Sequence, residues 1–250
     1  MTAGNVLSEV RMCRTAAEIV GSVGDDPALV LVDAPLAVPE VRGRRDAEHV
    51  LAWLDVAAFP VTPARMQAVH GGAPGVDLAA ALAARGHVVA EALPDQVLRQ
   101  AMWEQQHPPD DPPLDMGAYR AAWLGVRPPP FRPRGGRARH DGLAPARALL
   151  EPRADLSAWP RSGRSGDLAA LDEAAVIDAV ACATLARRCL DAPGDRWAVI
   201  GDARAGRVVL SACPELIARA RTHIERLRTE GTITISATIA GTDLGPPPLW

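Results

Sequence analysis

Two carboxylates, Asp33 and Glu91, each stand at the end of an apolar run that predicts a buried strand. Asp33 follows Leu29–Val32, whose unbroken Leu and Val residues are typical of a parallel strand covered on both faces. Pro35 cannot continue the hydrogen-bond ladder, so the strand is expected to stop there. Open α/β sheets bind ligands outside the carboxyl ends of their strands, which predicts that both acids face one ligand-binding edge. The alternative is that Asp33 only caps or turns the loop.

A third carboxylate, Asp178, interrupts the apolar middle of the longest predicted helix, residues 168–190. An acid at such a position is costly to bury unless it is paired or bound to a metal ion. The alternative interpretation places Asp178 on the exposed outer face of the helix.

Every Lys or Arg position of this chain is arginine, because the sequence contains no lysine. Arg44, Arg45 and Glu48 open a predicted helix that continues through Leu54. Their side chains would either hold a phosphate group or form a salt-bridged helix face.

A second arginine-rich stretch, residues 127–153, carries seven arginines against two acids and is rich in proline. This composition predicts a mobile basic loop suited to contact with a polyanion. The alternative is a solvated surface insertion. Phe131 is the one aromatic residue of the stretch, so the interleaving of aromatic and basic residues is weak.

The composition limits the classes of function. The 250 residues predict one large domain, and a net charge of −3 makes no global case for nucleic-acid binding. The four cysteines show no C-x-x-C spacing, so we expect free thiols. The chain has no G-x-S-x-G, H-E-x-x-H, P-loop or G-x-G-x-x-G motif. Without a signal peptide or a long apolar run, a cytoplasmic protein with no membrane contact is expected.

The remaining pattern predicts alternating helices and strands around these residues. Thr15 is the expected N-cap of a helix over Ala16–Val23, with Glu18 completing a capping box. Further helices are predicted over residues 76–85, 97–106, 116–124 and 214–228, a hairpin over 197–200 and 207–210, and strands over 6–12, 87–91 and 232–239.

Several motifs in this order resemble the DUF429 family of predicted nucleases. They are Val-Asp33-Ala-Pro-Leu, Gly43-Arg-Arg-Asp-Ala-Glu48, Phe59-Pro-Val-Thr-Pro-Ala-Arg-Met66, Leu78 to Pro94 including Gly86 and Glu91, Ile177-Asp178-Ala, and Ile200-Gly-Asp202. The resemblance covers roughly residues 5–212. It implies a three-layer α/β fold of the RNase H-like type with a mixed central sheet. It also implies a domain over 1–212 with a Pro/Arg-rich insertion at about 107–166, and a C-terminal helix and tail over 213–250.

The resemblance further implies a metal-dependent nuclease or phosphoryl-transfer hydrolase acting on nucleic acid. Asp33, Glu91 and Asp178 would be its catalytic and metal-ligating acids. In two-metal phosphoryl transfer such carboxylates hold Mg²⁺ or Mn²⁺ ions about 3.5–4 Å apart. Arg44, Arg45 and Glu48 belong to the second motif, as possible contacts to phosphate or substrate.

Two departures from the family pattern open an alternative function. The family's opening strand hairpin, which bears a further Asp, is truncated or incomplete here, and Ala175 and Val176 stand where relatives often carry acids upstream of Asp178. The three remaining acids would bind one metal ion at most. The alternative function is that of a catalytically inactive binding or scaffold protein. The incomplete sheet edge would be exposed, and residues 232–239 of a second copy are expected to cover it in a homodimer.

Overall fold

The structure is a computed structural model, and it describes residues 9–39, 43–58, 60–108, 111–133, 139–157, 159, 163–191, 194, 196–202, 206–231 and 233. The predicted strand over residues 6–12 falls partly outside these ranges, and residues 9–12 are not in a strand. The predicted strand over 232–239 lies outside them except for Ile233, which is buried.

A four-stranded mixed sheet forms the centre of the described chain. Its strands are β1 (Leu29–Val32), β2 (Val88–Ala92), β3 (Trp197–Asp202) and β4 (Gly206–Ser211), in the order β1-β2-β4-β3. Strands β1, β2 and β4 run parallel, whereas β3 pairs antiparallel with β4 as the predicted hairpin. The mixed sheet expected from the sequence is therefore confirmed.

Nine helices surround this sheet within the described ranges. They are α1 (Ala16–Val23), α2 (Asp46–Trp53), α3 (Pro63–His70), α4 (Pro74–Ala83), α5 (Pro94–Gln106), α6 (Met116–Gly125), α7 (His140–Leu150), α8 (Gly166–Asp191) and α9 (Pro214–Thr229). None of these helices has both the length and the apolar character needed to cross a membrane.

Two apolar clusters cover opposite faces of the sheet. Along β3, Ala198 and Ile200 pack with α2, α6 and α9, whereas Trp197 and Val199 pack with α5, α7 and α8. This alternation follows from the period of two in a strand, which sends successive side chains to opposite faces. The arrangement is consistent with helices on both faces of the sheet, as the three-layer prediction required.

Two predicted helix ends are present, but Glu18 does not complete the predicted capping box, because its Oε2 accepts from the Arg14 N–H at 2.7 Å and not from the Thr15 N–H. The Thr15 side chain accepts a hydrogen bond from the Glu18 N–H at 3.2 Å and so caps α1. Gly86 has a φ of +86°, as expected for the residue that follows the end of a helix.

The arginine-rich stretch is the main correction to the sequence interpretation. Residues 127–153 are not one mobile basic loop, because α7 occupies His140–Leu150 and buries Leu143 and Leu150. Upstream of it, Phe131 is 1% exposed and belongs to the same core cluster. Residues 127–133, called here the proline segment, are therefore anchored to the domain.

Candidate functional site

A cavity of about 580 Å³ opens beside the carboxyl ends of β1 and β2. The register pairs Val32 of β1 with Glu91 of β2, so Asp33 follows directly at the same sheet edge. The predicted position of Asp33 and Glu91 is therefore correct. Helices α2 and α5 and the proline segment complete the cavity wall. Its charged side chains are Asp33, Glu48, Asp55, Glu91, Asp95, Arg45, Arg99, Arg127, Arg132 and Arg139.

Glu91 is held by Arg45 in a buried, bidentate ion pair. The Arg45 Nη1 and Nη2 atoms donate to Glu91 Oε1 and Oε2 at 2.5 and 2.9 Å, and Arg45 Nε donates to Glu48 Oε1 at 2.7 Å. All three side chains are buried. Burial opposes the charged guanidinium, but the two carboxylates outweigh it and raise the pKa of Arg45.

Backbone groups satisfy the remaining atoms of this trio. The Leu36 N–H donates to Glu91 Oε1 at 2.9 Å, and the Val61 N–H donates to Glu48 Oε2 at 3.2 Å. Of the two interpretations of the second motif, the structure shows the salt-bridged one for Arg45 and Glu48. Arg44 is exposed and does not line the cavity.

Gly206 makes room for this ion pair at the start of β4. A Cβ atom there would lie 2.4 Å from Arg45 Nη1 and 3.0 Å from Glu91 Oε1. The φ of +96° also favours glycine. Sequence reasoning placed Gly206 in the hairpin turn and missed this role, since the contact depends on residues far away in the chain.

Asp33 and Asp178 are brought together by Arg132 of the proline segment. Arg132 Nη2 lies 2.7 Å from Asp33 Oδ2 and 2.8 Å from Asp178 Oδ1, and its Nε lies 3.8 Å from Asp95 Oδ1. The sequence predicted the convergence of the two acids but not their partner. About a third of the Asp33 side chain is accessible, 34%, against 23% for Asp178.

One guanidinium group among three carboxylates leaves excess negative charge. Burial, helped by the neighbouring Asp33 and Asp95 and opposed by Arg132, raises the pKa of Asp178 to about 7. Burial likewise raises the pKa of Asp33, with Arg132 again opposing it and Asp95 adding to it. A substantial fraction of Asp178 is therefore protonated near neutral pH.

These contacts do not fit the two-metal site that the resemblance implies. Both Glu91 oxygens are bonded to Arg45, and Arg132 lies between Asp33 and Asp178. Guanidinium groups thus supply the positive charge that divalent ions would otherwise bring. Within the described ranges, no group of three or more His, Cys, Asp or Glu residues is arranged to hold a metal ion.

Arg99 of α5 also lines the cavity. Arg99 Nη1 donates to the Asp55 carbonyl oxygen at 2.5 Å, its Nη2 donates to the Trp123 carbonyl oxygen, and its guanidinium carbon lies 4.2 Å from the centre of the Trp123 ring. Burial lowers the pKa of Arg99, and Arg127 and Arg219 lower it further against the opposing charge of Asp55.

The charges of the cavity wall are unevenly matched. Each of its five carboxylates lies within 4 Å of a guanidinium nitrogen: Asp33, Glu48, Asp55, Glu91 and Asp95. Arg99, Arg127 and Arg139 have no carboxylate partner within that distance in the part of the chain that the structure describes. The basic stretch was the sequence signal for Arg127 and Arg139, but it gave no means of separating paired from unpaired cations, and no sequence signal indicated Arg99.

No family model, curated protein or solved structure matches this chain.

Proposed function

We propose that this chain is an RNase H-like protein of the DUF429 type that binds a nucleic-acid strand at the cavity without two-metal cleavage. The observation that carries the proposal is the bonding of all three candidate acids to arginine. Arg132 bridges Asp33 and Asp178, and Arg45 clamps Glu91. In this arrangement the acids position arginines instead of metal ions.

The unpaired arginines support a phosphate-bearing ligand. Arg99, Arg127 and Arg139 line one cavity, and arginine is the residue best suited to bidentate recognition of phosphate. Phosphate contacts supply most of the sequence-independent affinity of nucleic-acid binding, so the affinity should fall steeply as salt concentration rises.

Binding and cleavage of single-stranded DNA and RNA oligonucleotides test the proposal directly. Binding is measured by fluorescence anisotropy in EDTA and in Mn²⁺, and the same samples are then resolved on a denaturing gel. The proposal predicts salt-sensitive binding in both buffers and intact oligonucleotides in both. Metal-dependent cleavage by the wild-type protein that disappears in Asp33→Asn would contradict it.

A metal-dependent phosphoryl-transfer hydrolase is the second candidate function. One feature favours it, since Asp33, Asp95 and Asp178 all lie within 4 Å of the single Arg132 side chain. A divalent ion would need Arg132 to leave. Under this candidate, Arg132→Gln should bind Mn²⁺ more tightly than the wild type, as measured by thermal melting. Equal melting shifts in the two proteins would count against it.

A further inference from the structure

We propose that Arg99 and Arg127 form a subsite for the terminal phosphate monoester of a ligand, either a strand end or a free phosphate. This inference rests on the proposed function and names the part of the ligand that the cavity recognises. Every carboxylate of the cavity wall is paired with an arginine, whereas Arg99 and Arg127 have no carboxylate within 4 Å in the described ranges.

Arg99 is a rigidly held cation. Carbonyl oxygens of Asp55 and Trp123 accept from its two terminal nitrogens, and the Trp123 ring lies under its guanidinium plane. A guanidinium has five N–H groups, and these bonds use two of them. Its Nε is buried without a hydrogen-bond partner within the described ranges. Each of its two terminal nitrogens keeps a second N–H, and no carboxylate lies within 4 Å of the group in the described ranges.

Asp55 fixes this cation through an unusual backbone conformation. Its φ is +57°, the left-handed region that few residues other than glycine adopt, although aspartate tolerates it. In that conformation its carbonyl oxygen accepts from Arg99 while its carboxylate binds Arg219 at 2.8 Å. The Asp55 carboxylate is thus paired with Arg219. Asp55 holds Arg99 through its carbonyl oxygen and forms no ion pair with it.

Arg127 adds a second uncompensated charge. It is exposed at the start of the proline segment, lines the same cavity, and lies close enough to Arg99 to lower the pKa of that side chain. Two like charges repel each other, and an anion between them offsets this repulsion. A phosphate monoester carries about two negative charges at neutral pH and can accept hydrogen bonds from both guanidinium groups.

The three acids around Arg132 argue for one terminal phosphate instead of a continuous run of phosphates. Asp33, Asp95 and Asp178 share one guanidinium, so a second phosphate near them would meet net negative charge. The part of the ligand near these acids would therefore be uncharged. A volume of about 580 Å³ is within the usual range for small-molecule pockets.

The test compares three probes on the wild-type protein, Arg127→Gln and a matched control. The probes are inorganic phosphate and one single-stranded oligonucleotide with either a 5′-phosphate or a 5′-hydroxyl end, and titration calorimetry measures each Kd at low salt. The control, Arg14→Gln, removes the same charge from an exposed arginine outside the cavity. We expect the wild type and the control to bind the 5′-phosphorylated strand at least about tenfold more tightly than the 5′-hydroxyl strand.

In Arg127→Gln this preference for the 5′-phosphate should disappear. Equal binding of the two strands by the wild type, or an unchanged preference in Arg127→Gln, would overturn the subsite while leaving strand binding intact. Binding of inorganic phosphate alone, lost in Arg127→Gln, would support the subsite and refute the proposed nucleic-acid ligand. If no probe binds the wild type, both proposals are wrong.

Discussion

At the residue scale, the central feature is a single arginine, Arg45, that is hydrogen-bonded to two buried carboxylates. Its side chain is 3% exposed, and Glu48 and Glu91 are 1% and 4% exposed. Removing one partner of a buried ion pair leaves an uncompensated charge, which destabilises a protein far more than losing an exposed pair does. We therefore expect the trio to contribute strongly to the stability of this sheet edge.

Replacing Arg45 with glutamine should lower the free energy of unfolding by about 3–5 kcal/mol, because two carboxylates would lose their cation. Urea unfolding followed by circular dichroism measures the change. The neighbouring Arg44→Gln is the control, since Arg44 is exposed and surface changes usually stay within about 0.5 kcal/mol. If both variants unfold at the same urea concentration, the trio has no stabilising role.

His223 should make the protein less stable in acid. It stacks on Trp53 at 3.9 Å, and burial, followed by Arg226 and Arg219, lowers its pKa to about 4. An unfolded histidine, with a pKa near 6.5, binds its proton at a higher pH than the folded one. Stability is therefore present above about pH 6.5 and is lost as the pH falls toward 4.

The variant His223→Phe keeps an aromatic ring against Trp53 but cannot titrate. Between pH 7 and pH 5, we expect the wild type to lose about 2 kcal/mol more unfolding free energy than the variant. Chemical denaturation at the two pH values measures this difference. Parallel losses in the two proteins would show that His223 does not titrate in this way.

The sequence predicted the acids of the site but not their partners. Asp33 and Glu91 follow from apolar runs that end in a carboxylate, a pattern that is local in the chain. Arg132 lies 99 residues from Asp33, and Arg45 lies 46 residues from Glu91. Pairings over such separations depend on how the elements pack. The sequence therefore indicated Arg132 only through the composition of the basic stretch, and Arg45 only as a phosphate contact or part of a salt-bridged helix face.

At the element scale, strong local signals gave correct predictions. Helix α1 begins at the predicted residue because Thr15 caps it. It ends at the predicted Val23, before Gly24, whose φ is +84°. The glycines at the ends of the β3–β4 hairpin separated its two strands correctly. Helix α3 was missed, although Thr62 accepts from the Arg65 N–H and Pro63 occupies the first turn, because its residues have no clear apolar face. Helix α7 was missed because its surroundings and Pro145 suggested a loop.

The packing of α7 against the proline segment yields a prediction at this scale. A Cβ atom on Gly142 would lie 2.4 Å from the Pro130 carbonyl oxygen. Gly142→Ala must therefore displace the segment that carries Arg127 and Arg132. We expect it to weaken binding of a 5′-phosphorylated oligonucleotide about as much as Arg127→Gln does.

Titration calorimetry measures this effect. Gly125→Ala is a suitable control, because a Cβ atom there meets no atom within 4 Å. Unchanged binding in Gly142→Ala would show that the segment's position does not control the subsite.

At the scale of the whole molecule, the sheet has an open edge. Within the described chain, β1 pairs with β2 alone, so its other side lacks a strand partner. Exposed strand edges favour pairing with another chain. We therefore predict a homodimer, which size-exclusion chromatography with light scattering would detect at twice the 26.4 kDa mass of the chain. A strict monomer at all concentrations would contradict the prediction.

The proposed binding function depends on arginine holding the acids that the resemblance assigns to metal ions. Thermal melting of the wild type and of Asp33→Asn, with and without Mn²⁺, tests this most directly. An ion that binds only the native state at a hundred times its Kd would add about 2.7 kcal/mol to the free energy of unfolding. We predict no rise in melting temperature with Mn²⁺ in either protein. A rise in the wild type that vanishes in Asp33→Asn would place a metal ion at Asp33 and contradict the account.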